Sequence, residues 1–387
     1  MRRIFFWSDF VLLPAFIVFL IVSGQVQSKS HSNFASQYSQ SNVSEWSSVS
    51  ASDKSQFQLR KIRQCRRVFD GVAGDSIEFK LKNFGAINAE KIQKLRFLEI
   101  NSLNLFEYKK VVEVDAGGKP VEVWRSPKPD HQTHALARNI LQSNPDIVVM
   151  LEVESKKALS QFNEKYLNET YEPLLIEGND TRGIDIGILV KSELPFKIEV
   201  RTHRDLWTQN DNLFSRDLPV LLFREKNNNV KFILLGTHYK SMRGSDSDPN
   251  GSKKRTIQAA YTKKVIEELQ AEFSKDIPIF LTGDFNNHVP TAPEFESLRS
   301  MPMTDVLDLF PTSKRYTHFF FERDGSRNFH QLDAFLFVPN KNITIKSAEI
   351  LPNKNENGEV LPEPSSFDER ENLPSDHLPT QIDIEFH

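Results

Sequence analysis

Short apolar runs recur along the chain from about residue 93 and are separated by polar segments. They cover residues 95–100, 147–151, 184–190, 218–223, 232–236, 277–281, 332–338 and 381–386. Runs of this length, bounded by polar or turn-forming residues, are typical of strands whose two faces are both buried. The pattern therefore predicts at least one sheet that is covered on both sides.

Helix-like patterns separate some of these runs, at 134–143, 155–166 and 253–273, and Ser155 is a candidate N-cap. Elsewhere two strand-like runs follow each other directly, as at 218–223 and 232–236. Helical crossovers mixed with hairpins favour an α+β or mixed α/β sandwich over a purely parallel sheet. Two long polar loops, 239–254 and 352–374, flank histidines, and long loops in compact domains are often functional.

The N-terminus has the pattern of a secretory signal peptide. Arg2 and Arg3 precede an apolar run at 10–22, which is shorter than the roughly 20 residues a membrane-spanning helix needs. We predict a signal peptide at 1–27, with an uncleaved membrane anchor as the alternative. The protein is then exported, either secreted or periplasmic.

The rest of the chain divides by composition. Residues 28–58 are rich in serine and poor in apolar side chains, so we predict a disordered linker. Residues 59–92 form an N-terminal extension, and 93–387 form the catalytic domain.

Charge and cysteine content narrow the function further. The net charge is −3, so the protein as a whole does not attract anions. An anionic substrate therefore needs a local basic patch. Cys65 is the single cysteine, which excludes an internal disulfide framework and a cysteine-based metal site.

Polar side chains occur at or near the ends of the apolar runs. They are Asn101, Glu152, His238, Asp284 with Asn286, and Asp376 with His377. Asp333 interrupts an apolar run, and a buried acid of this kind needs a partner, for which a histidine is the natural choice. Carboxylate and amide oxygens suit Mg²⁺, and a histidine held by an acid can deprotonate water. Together these groups indicate metal-assisted attack on a phosphate ester, although each one alone is compatible with a cap, a turn or a core histidine.

Eight segments resemble the endonuclease/exonuclease/phosphatase superfamily, which includes DNase-like enzymes, sphingomyelinases and inositol polyphosphate phosphatases. In family order they are "INSLNLF", "DIVVMLEVES", "RGIDIGILV", "FSRDLPVLLF", "LLGTHYKS", "LTGDFNN", "LDAFLFV" and "SDHLP". The resemblance covers about 93–387. It implies a DNase-like four-layer sandwich, in which two mixed β-sheets are flanked by helices.

The resemblance also implies residue roles. Asn101, Glu152 and Asp376 would hold the metal, which we expect to be Mg²⁺, with Mn²⁺ as the alternative. The catalytic groups would be His377 as base, Asp333 orienting it, Asp284 at the attacking water, Asn286 on the phosphate, His238 as donor and Asp185 supporting His238. The candidate phosphate contacts are Arg182, Arg216 and Lys240. Leu151, Asn287 and Ala334 depart from common family residues, which leaves the substrate open.

We therefore predict an exported metal-dependent phosphodiesterase, with a nuclease as the first hypothesis and nucleic acid as its partner. Arg243, Lys253, Lys254 and Arg255, beside the loop after His238, are candidates to line a groove for it. The alternative is an enzyme of the same superfamily acting on phospholipids or inositol phosphates, and the second alternative is a non-catalytic binding protein. For the "HFFFERDG" segment we favour a core strand over a membrane-contacting hairpin. We expect a monomer without an obligate protein partner.

Overall fold

A computed structural model describes residues 76–85, 91–106, 109–114, 120–125, 128–180, 183–206, 212–242, 244, 247–322 and 324–387. The predicted signal peptide and linker lie outside these residues, as does Arg182. The predicted extension is described only at 76–85 and 91–92. Within the described ranges, no helix combines the length and the apolar character needed to cross a membrane.

The described elements are named in chain order. The strands are β1 Ser76–Lys80, β2 Lys94–Asn101, β3 Lys109–Val114, β4 Pro120–Arg125, β5 Ile147–Val153, β6 Tyr171–Leu175, β7 Asp185–Lys191, β8 Lys197–Arg201, β9 Val220–Arg224, β10 Val230–His238, β11 Ile279–Asp284, β12 Thr304–Asp305, β13 His318–Phe321, β14 Arg327–His330, β15 Asp333–Phe337, β16 Ile343–Ile350 and β17 Thr380–Phe386. The α-helices are α1 Asp130–Ser143, α2 Lys156–Tyr166, α3 Ser252–Phe273, α4 Glu296–Arg299 and α5 Phe367–Glu371. Short 3₁₀ turns occur at Pro293–Phe295, Val306–Leu309 and Thr312–Lys314.

Two mixed sheets form the centre of the fold. The first has the order β1-β8-β9-β10-β11-β15-β12, with β10 and β11 parallel and the other neighbours antiparallel. The second has the order β16-β17-β2-β5-β7-β6, with β2 and β5 as its parallel pair. Two separate hairpins, β3-β4 and β13-β14, stand beside them.

The main core lies between the two sheets and is rich in phenylalanine. The ring of Phe97 on β2 meets Phe232, Phe280 and Phe335 of the first sheet at centroid distances of 5.8, 5.5 and 5.9 Å. Burying rings of this size is a large apolar contribution, and tilted or edge-on pairs add to it. The thirty phenylalanines of the sequence thus supply much of the contact that joins the sheets.

Helices cover the outer face of each sheet. On the second sheet, the core includes Leu136 and Ile140 of α1 and Phe162 of α2. On the first sheet, Ile266 and Leu269 of α3 pack with the strands. The order helix, sheet, sheet, helix confirms the predicted four-layer sandwich.

The local predictions succeeded mainly where strands are apolar. All eight predicted runs fall on strands, and the Ser155 side chain caps α2 by accepting from the Ala158 N–H at 3.1 Å. Shorter or more polar strands such as β8 and β16 were not predicted. β1, from the predicted extension, pairs antiparallel with β8 at the edge of the first sheet.

The preferred interpretation of "HFFFERDG" was wrong in one respect. Its first four residues form β13, which belongs to the separate β13-β14 hairpin rather than to either sheet. Phe319 is buried, but Phe320 and, on β14, Phe329 are 38% and 44% exposed. The hairpin therefore presents aromatic surface to solvent.

Candidate active site

Strand pairing brings three predicted residues together at one edge of the first sheet. β10 and β11 run parallel, and His238 is the partner of Asp284. β15 runs antiparallel to β11, and its first residue, Asp333, is the partner of Asp284 on the other side. The three side chains thus come from adjacent strands although they are far apart in sequence.

The glycine of "LTGDFNN" is required by close contact between strands. Gly283 has φ +140°, and a Cβ there would lie 1.9 Å from the backbone oxygen of Thr237 on β10. Only glycine tolerates this approach. Asn286 follows with φ +56°, a left-handed conformation that asparagine adopts more readily than most residues. The backbone therefore turns sharply here and keeps Asp284 and Asn286 at the end of the strand.

Hydrogen bonds fix these two side chains against each other. Asp284 accepts from the Asn286 backbone N–H at 2.6 Å and from its side-chain amide at 2.8 Å. The same amide donates to the Tyr239 carbonyl at 3.1 Å, and Arg216 donates to that carbonyl at 3.2 Å. Arg216 is buried and also paired with Asp180, Nε to Oδ2 3.2 Å. The candidate phosphate contact Arg216 is thus a fixed cation that shares an acceptor with Asn286.

His377 and Asp333 form a buried pair. The Nδ1 atom of His377 lies 2.7 Å from Oδ2 of Asp333. Burial lowers the pKa of His377, but Asp333, Asp284 and Asp376 outweigh it, so the net pKa lies well above its ordinary value. With Nδ1 donating to Asp333, the lone pair of the neutral ring is on Nε2, and a bound cation that offsets the surrounding carboxylates would lower the pKa and favour this neutral form. The pair has the geometry of an oriented general base.

The second sheet contributes Asn101 and Glu152. β2 and β5 are parallel, and Asn101 is the partner of Leu151, directly before Glu152. The pairing of β5 shifts register after Met150, and Glu152 has φ +58°. This irregularity ends the regular strand at the position of the acid, and Oε1 of Glu152 lies 4.0 Å from Nε2 of His238. Nε2 of His238 is also 3.4 Å from Oδ2 of Asp284, so His238 connects the two sheets.

The acids of the site are held close together in a buried setting. Asp284, Asp333 and His377 each offer a ligand atom within 4.8 Å of the others. Burial raises the pKa of Asp284 to about 7, and the neighbouring Asp333 and Glu152 add to the rise. The pKa of Asp376 is shifted the other way. Burial would raise it, but His318 and His377 outweigh burial and hold it well below the ordinary value.

Three nearby residues were missed by the sequence analysis. Glu99 is buried on β2, and burial together with Asp333 and Asp284 raises its pKa well above normal. His318 is buried with its ring 4.8 Å from that of His377, centroid to centroid. Lys128 donates to the Pro374 carbonyl at 2.5 Å, and burial lowers its pKa to about 8 against the opposing charges of Asp376 and Glu152. The signal for Glu99 was available, since residues two apart on a strand share a face and Glu99 therefore lies on the same inward face of β2 as Phe97.

The remaining predicted residues have other surroundings. Asp185 accepts a hydrogen bond from the Gly178 N–H at 2.7 Å, and burial raises its pKa to about 7. Its suggested support of His238 stays a prediction. Lys240 is half-buried, with Nζ 3.1 Å from the Ser241 hydroxyl. Arg255, suggested for a substrate groove, is instead buried and paired with Glu294, Nη2 to Oε1 2.8 Å, so that suggestion was wrong.

The donors present fit a divalent cation. Asn101, Glu152 and Asp376 offer hard oxygen ligands, and the partly exposed Glu152 leaves room for the water molecules that Mg²⁺ retains. Burial first, and neighbouring carboxylates second, raise the pKa values of Asp284 and Glu99, and a cation would offset both effects. The site therefore has the composition of a metal-assisted phosphoesterase.

Comparison with known proteins identifies the family. The sequence model described as "Endonuclease/Exonuclease/phosphatase family" matches residues 118–331, which is more than half of the chain. The chain belongs to this family, whose members are phosphoesterases that generally depend on divalent metals. No curated protein matches the sequence. The matched range ends before Asp333, so the position of the His377–Asp333 pair comes from the structure.

Solved structures share the fold at low sequence identity. The human Nocturnin catalytic domain with bound sulfate is 18% identical, with a TM-score of 0.52, and the match covers 81% of this chain and 97% of that one. D. rerio TDP2, complexed with a single-strand DNA product, is 16% identical, with a TM-score of 0.49 and coverage of 76% and 99%. A mannosyl-6-phosphatase from Bacteroides thetaiotaomicron is 14% identical, with a TM-score of 0.45 and coverage of 76% and 100%. At these identities the likeness to Nocturnin supports the fold alone.

Proposed function

We propose that the protein is an exported, metal-dependent phosphodiesterase that hydrolyses nucleic acids. The observation that carries the proposal is the convergence of Asp284 with the His377–Asp333 pair, all within 4.8 Å, next to His238 and Glu152. An oriented imidazole beside an acid, with a second imidazole across from them, is the set of groups that in-line hydrolysis of a phosphodiester uses.

The reaction follows from the positions of the protein groups. Nε2 of His377 takes a proton from water as the water oxygen attacks phosphorus, and Asp333 stabilises the imidazolium that forms. Asp284 holds the water, and Asn286 and Arg216 lie beside it to contact phosphate oxygens. His238 donates a proton to the departing oxygen as its bond to phosphorus breaks.

A bound metal would complete the charge balance. Asn101, Glu152 and Asp376 would hold Mg²⁺ or Mn²⁺. The ion, when bound, supplies positive charge that polarises the phosphate and offsets the crowded carboxylates. The role of the chain itself is to keep the acids, the base and the proton donor in fixed positions before substrate arrives.

The choice of nucleic acid rests on local charge. Lys240 lies two residues after His238, and Lys253 and Lys254 lie at the start of α3, about fifteen residues further along the chain. Lys253 is exposed, and the Lys254 side chain is partly exposed. In a chain with a net charge of −3, lysines close in sequence to His238 support a local surface for a polyanion.

A lipid phosphodiester is the second candidate, and the exposed β13-β14 hairpin favours it. Phe320 and Phe329 are exposed there, and the hairpin begins at His318, which forms an isolated bridge with His377. Aromatic side chains at this position would contact an apolar surface near the reacting phosphate. The β13-β14 hairpin is therefore the feature that separates the two substrate classes.

A hydrolysis panel tests the proposal. Plasmid DNA, RNA, sphingomyelin vesicles and inositol phosphates are each incubated with the protein in Mg²⁺ and in EDTA. We expect Mg²⁺-dependent cleavage of nucleic acid, lost in His377→Ala and retained in His387→Gln, which changes a histidine at the far end of β17. Cleavage of vesicles alone would establish the lipid alternative. Unchanged biological activity in His377→Ala would favour a non-catalytic binding protein.

Export is a separate part of the proposal and rests on residues 1–27. Producing the full chain in a bacterial host and sequencing the N-terminus of the protein from the periplasm or medium tests it. We expect a mature protein that begins after the apolar run 10–22. Full-length protein confined to the cytoplasm would contradict export, and full-length protein in the membrane would identify an anchor.

A further inference from the structure

A second group of metal-ligating side chains lies next to the catalytic base. His318, Asp376 and His377 each offer one ligand atom, and these atoms lie within 4.8 Å of one another. Nε2 of His318 is 3.8 Å from Oδ2 of Asp376, which is too long for a hydrogen bond. Two ligands bound tetrahedrally to one ion at about 2.1 Å lie about 3.4 Å apart, so side-chain shifts of about 1 Å would close the group around an ion.

Two further observations indicate a cation rather than a closed hydrogen-bond network. Within the described part of the chain, Oδ1 of Asp376 is buried without a hydrogen-bond partner. Buried polar atoms in this state are uncommon and mark a position for a water molecule or an ion. His377, in turn, is held by Asp333 through Nδ1. This is the arrangement by which proteins orient a histidine that binds metal through Nε2.

The donor type distinguishes this group from the Mg²⁺ ligands. Asn101 and Glu152 offer only oxygen, whereas His318 and His377 add two imidazole nitrogens to the carboxylate of Asp376. Two imidazoles and one carboxylate favour Zn²⁺ and other transition metals over Mg²⁺. They also leave a coordination position open for water or substrate.

We propose that His318, Asp376 and His377 form a second cation site, which binds a transition metal such as Zn²⁺ and, when filled, stops hydrolysis. The inhibitory part of this proposal rests on the proposed function. Nε2 of His377 has one lone pair, which either accepts the proton of water or binds the metal. Zn²⁺ in the site therefore removes the base and withdraws Asp376 from the Mg²⁺ ligands.

The first experiment measures metal binding without any substrate. Metal-free protein is titrated with Co²⁺, followed by visible d–d absorption, and with Zn²⁺ in competition with a chromophoric chelator. We expect His318→Gln to lose one bound equivalent, or to weaken its affinity by more than about 100-fold, because removal of a direct ligand should exceed the cost of changing an outer-shell partner.

The matched control is His330→Gln. His330 is the cross-strand partner of His318 in the β13-β14 hairpin but does not belong to the metal-ligating group. Wild-type affinity for Zn²⁺ in His318→Gln would overturn the site. If circular dichroism shows that His318→Gln does not fold, the same titration is carried out with Asp376→Asn. Unchanged affinity for Zn²⁺ in that variant would also overturn the proposed site.

The second experiment measures inhibition. Hydrolysis of bis(p-nitrophenyl) phosphate in saturating Mg²⁺ is followed as Zn²⁺ is added, and each variant is compared with its own zinc-free rate. We expect micromolar Zn²⁺ to inhibit wild type and His330→Gln but to leave the relative rate of His318→Gln unchanged. Equal inhibition of His318→Gln would overturn the inhibitory role. Zinc binding that depends on His318, in a protein without hydrolytic activity, would retain the site and reject the proposed function.

Discussion

Two clusters of buried charge differ in how their charges are balanced. On the first sheet, Glu199 of β8 binds Arg201 at 2.8 Å and Arg224 of β9 at 2.7 Å. Arg201 continues to Glu272 of α3 with two hydrogen bonds of 2.6 and 2.7 Å. Each acid in this cluster, which we call the arginine cluster, faces a guanidinium.

In the candidate active site, Asp284 and Asp333 face histidines rather than arginines. Asp284 and Asp333 lie beside each other and share the neighbourhood of His377. Burial raises the pKa of Asp284 to about 7, whereas in the arginine cluster the two arginines outweigh burial and lower the pKa of Glu199. The pKa values of two buried carboxylates are thus shifted in opposite directions.

The comparison separates charges that hold the fold from charges kept for chemistry. Paired charges are satisfied in the folded protein and have no capacity left for a ligand. Crowded acids cost stability and are retained where a cation or a proton is to be bound. Four changes test this distinction.

The largest effect is expected for His377→Ala. A positioned general base contributes about 10²–10⁴-fold, so the rate of phosphodiester hydrolysis should fall by about that factor. The thermal unfolding temperature should also fall, because Asp333 loses its buried partner, so the rates are compared per folded molecule. Comparison with His387→Gln controls for a lost histidine, and equal rates in the two variants would remove His377 from the mechanism.

Arg201→Met should lower the stability of the fold and leave the activity unchanged. It leaves Glu199 and Glu272 without their shared partner, and breaking a buried ion pair costs about 4 kcal/mol of unfolding free energy. Urea denaturation measures this loss. Activity per folded molecule should not change. A stability equal to that of Lys341→Met, which removes an exposed ion pair with Asp276, would contradict a structural role.

Asp284→Asn should change how stability depends on pH. The folded pKa of Asp284, about 7, lies above its unfolded value near 4, so the folded protein binds more protons between them and its stability falls as pH rises. In EDTA between pH 4 and 6.5, wild type should lose on the order of 3 kcal/mol that Asp284→Asn retains. Parallel curves for the two proteins, measured by urea denaturation, would show that Asp284 ionises normally.

Lys240→Ala should give the smallest effect, because Lys240 is partly exposed to solvent. We expect a rise of a few fold in KM for DNA and a decrease of about one in the slope of log affinity against log salt. Lys341→Ala, at an exposed position on the far side of the fold, is the control. An unchanged salt slope would indicate that Lys240 does not contact the phosphate backbone.

Prediction from the sequence was most complete for features set by neighbouring residues. The apolar runs identified the central strands because burial on both faces excludes polar side chains there. Edge strands such as β1 and β16 were missed because an exposed side admits polar and charged residues. His318 and Lys128 were also missed, since each reaches the site through a partner more than fifty residues away.

The sequence by itself determined the apolar strands and the cap at Ser155, because each depends on local backbone geometry and burial. Only the tertiary structure placed Asp284 between His238 and Asp333, joined His318 to Asp376, and separated the crowded acids from the arginine cluster. These features depend on strand register and on distances between remote residues. Burial and electrostatic interactions act through space, so the charge state of a residue is decided by neighbours that the order of the chain does not specify.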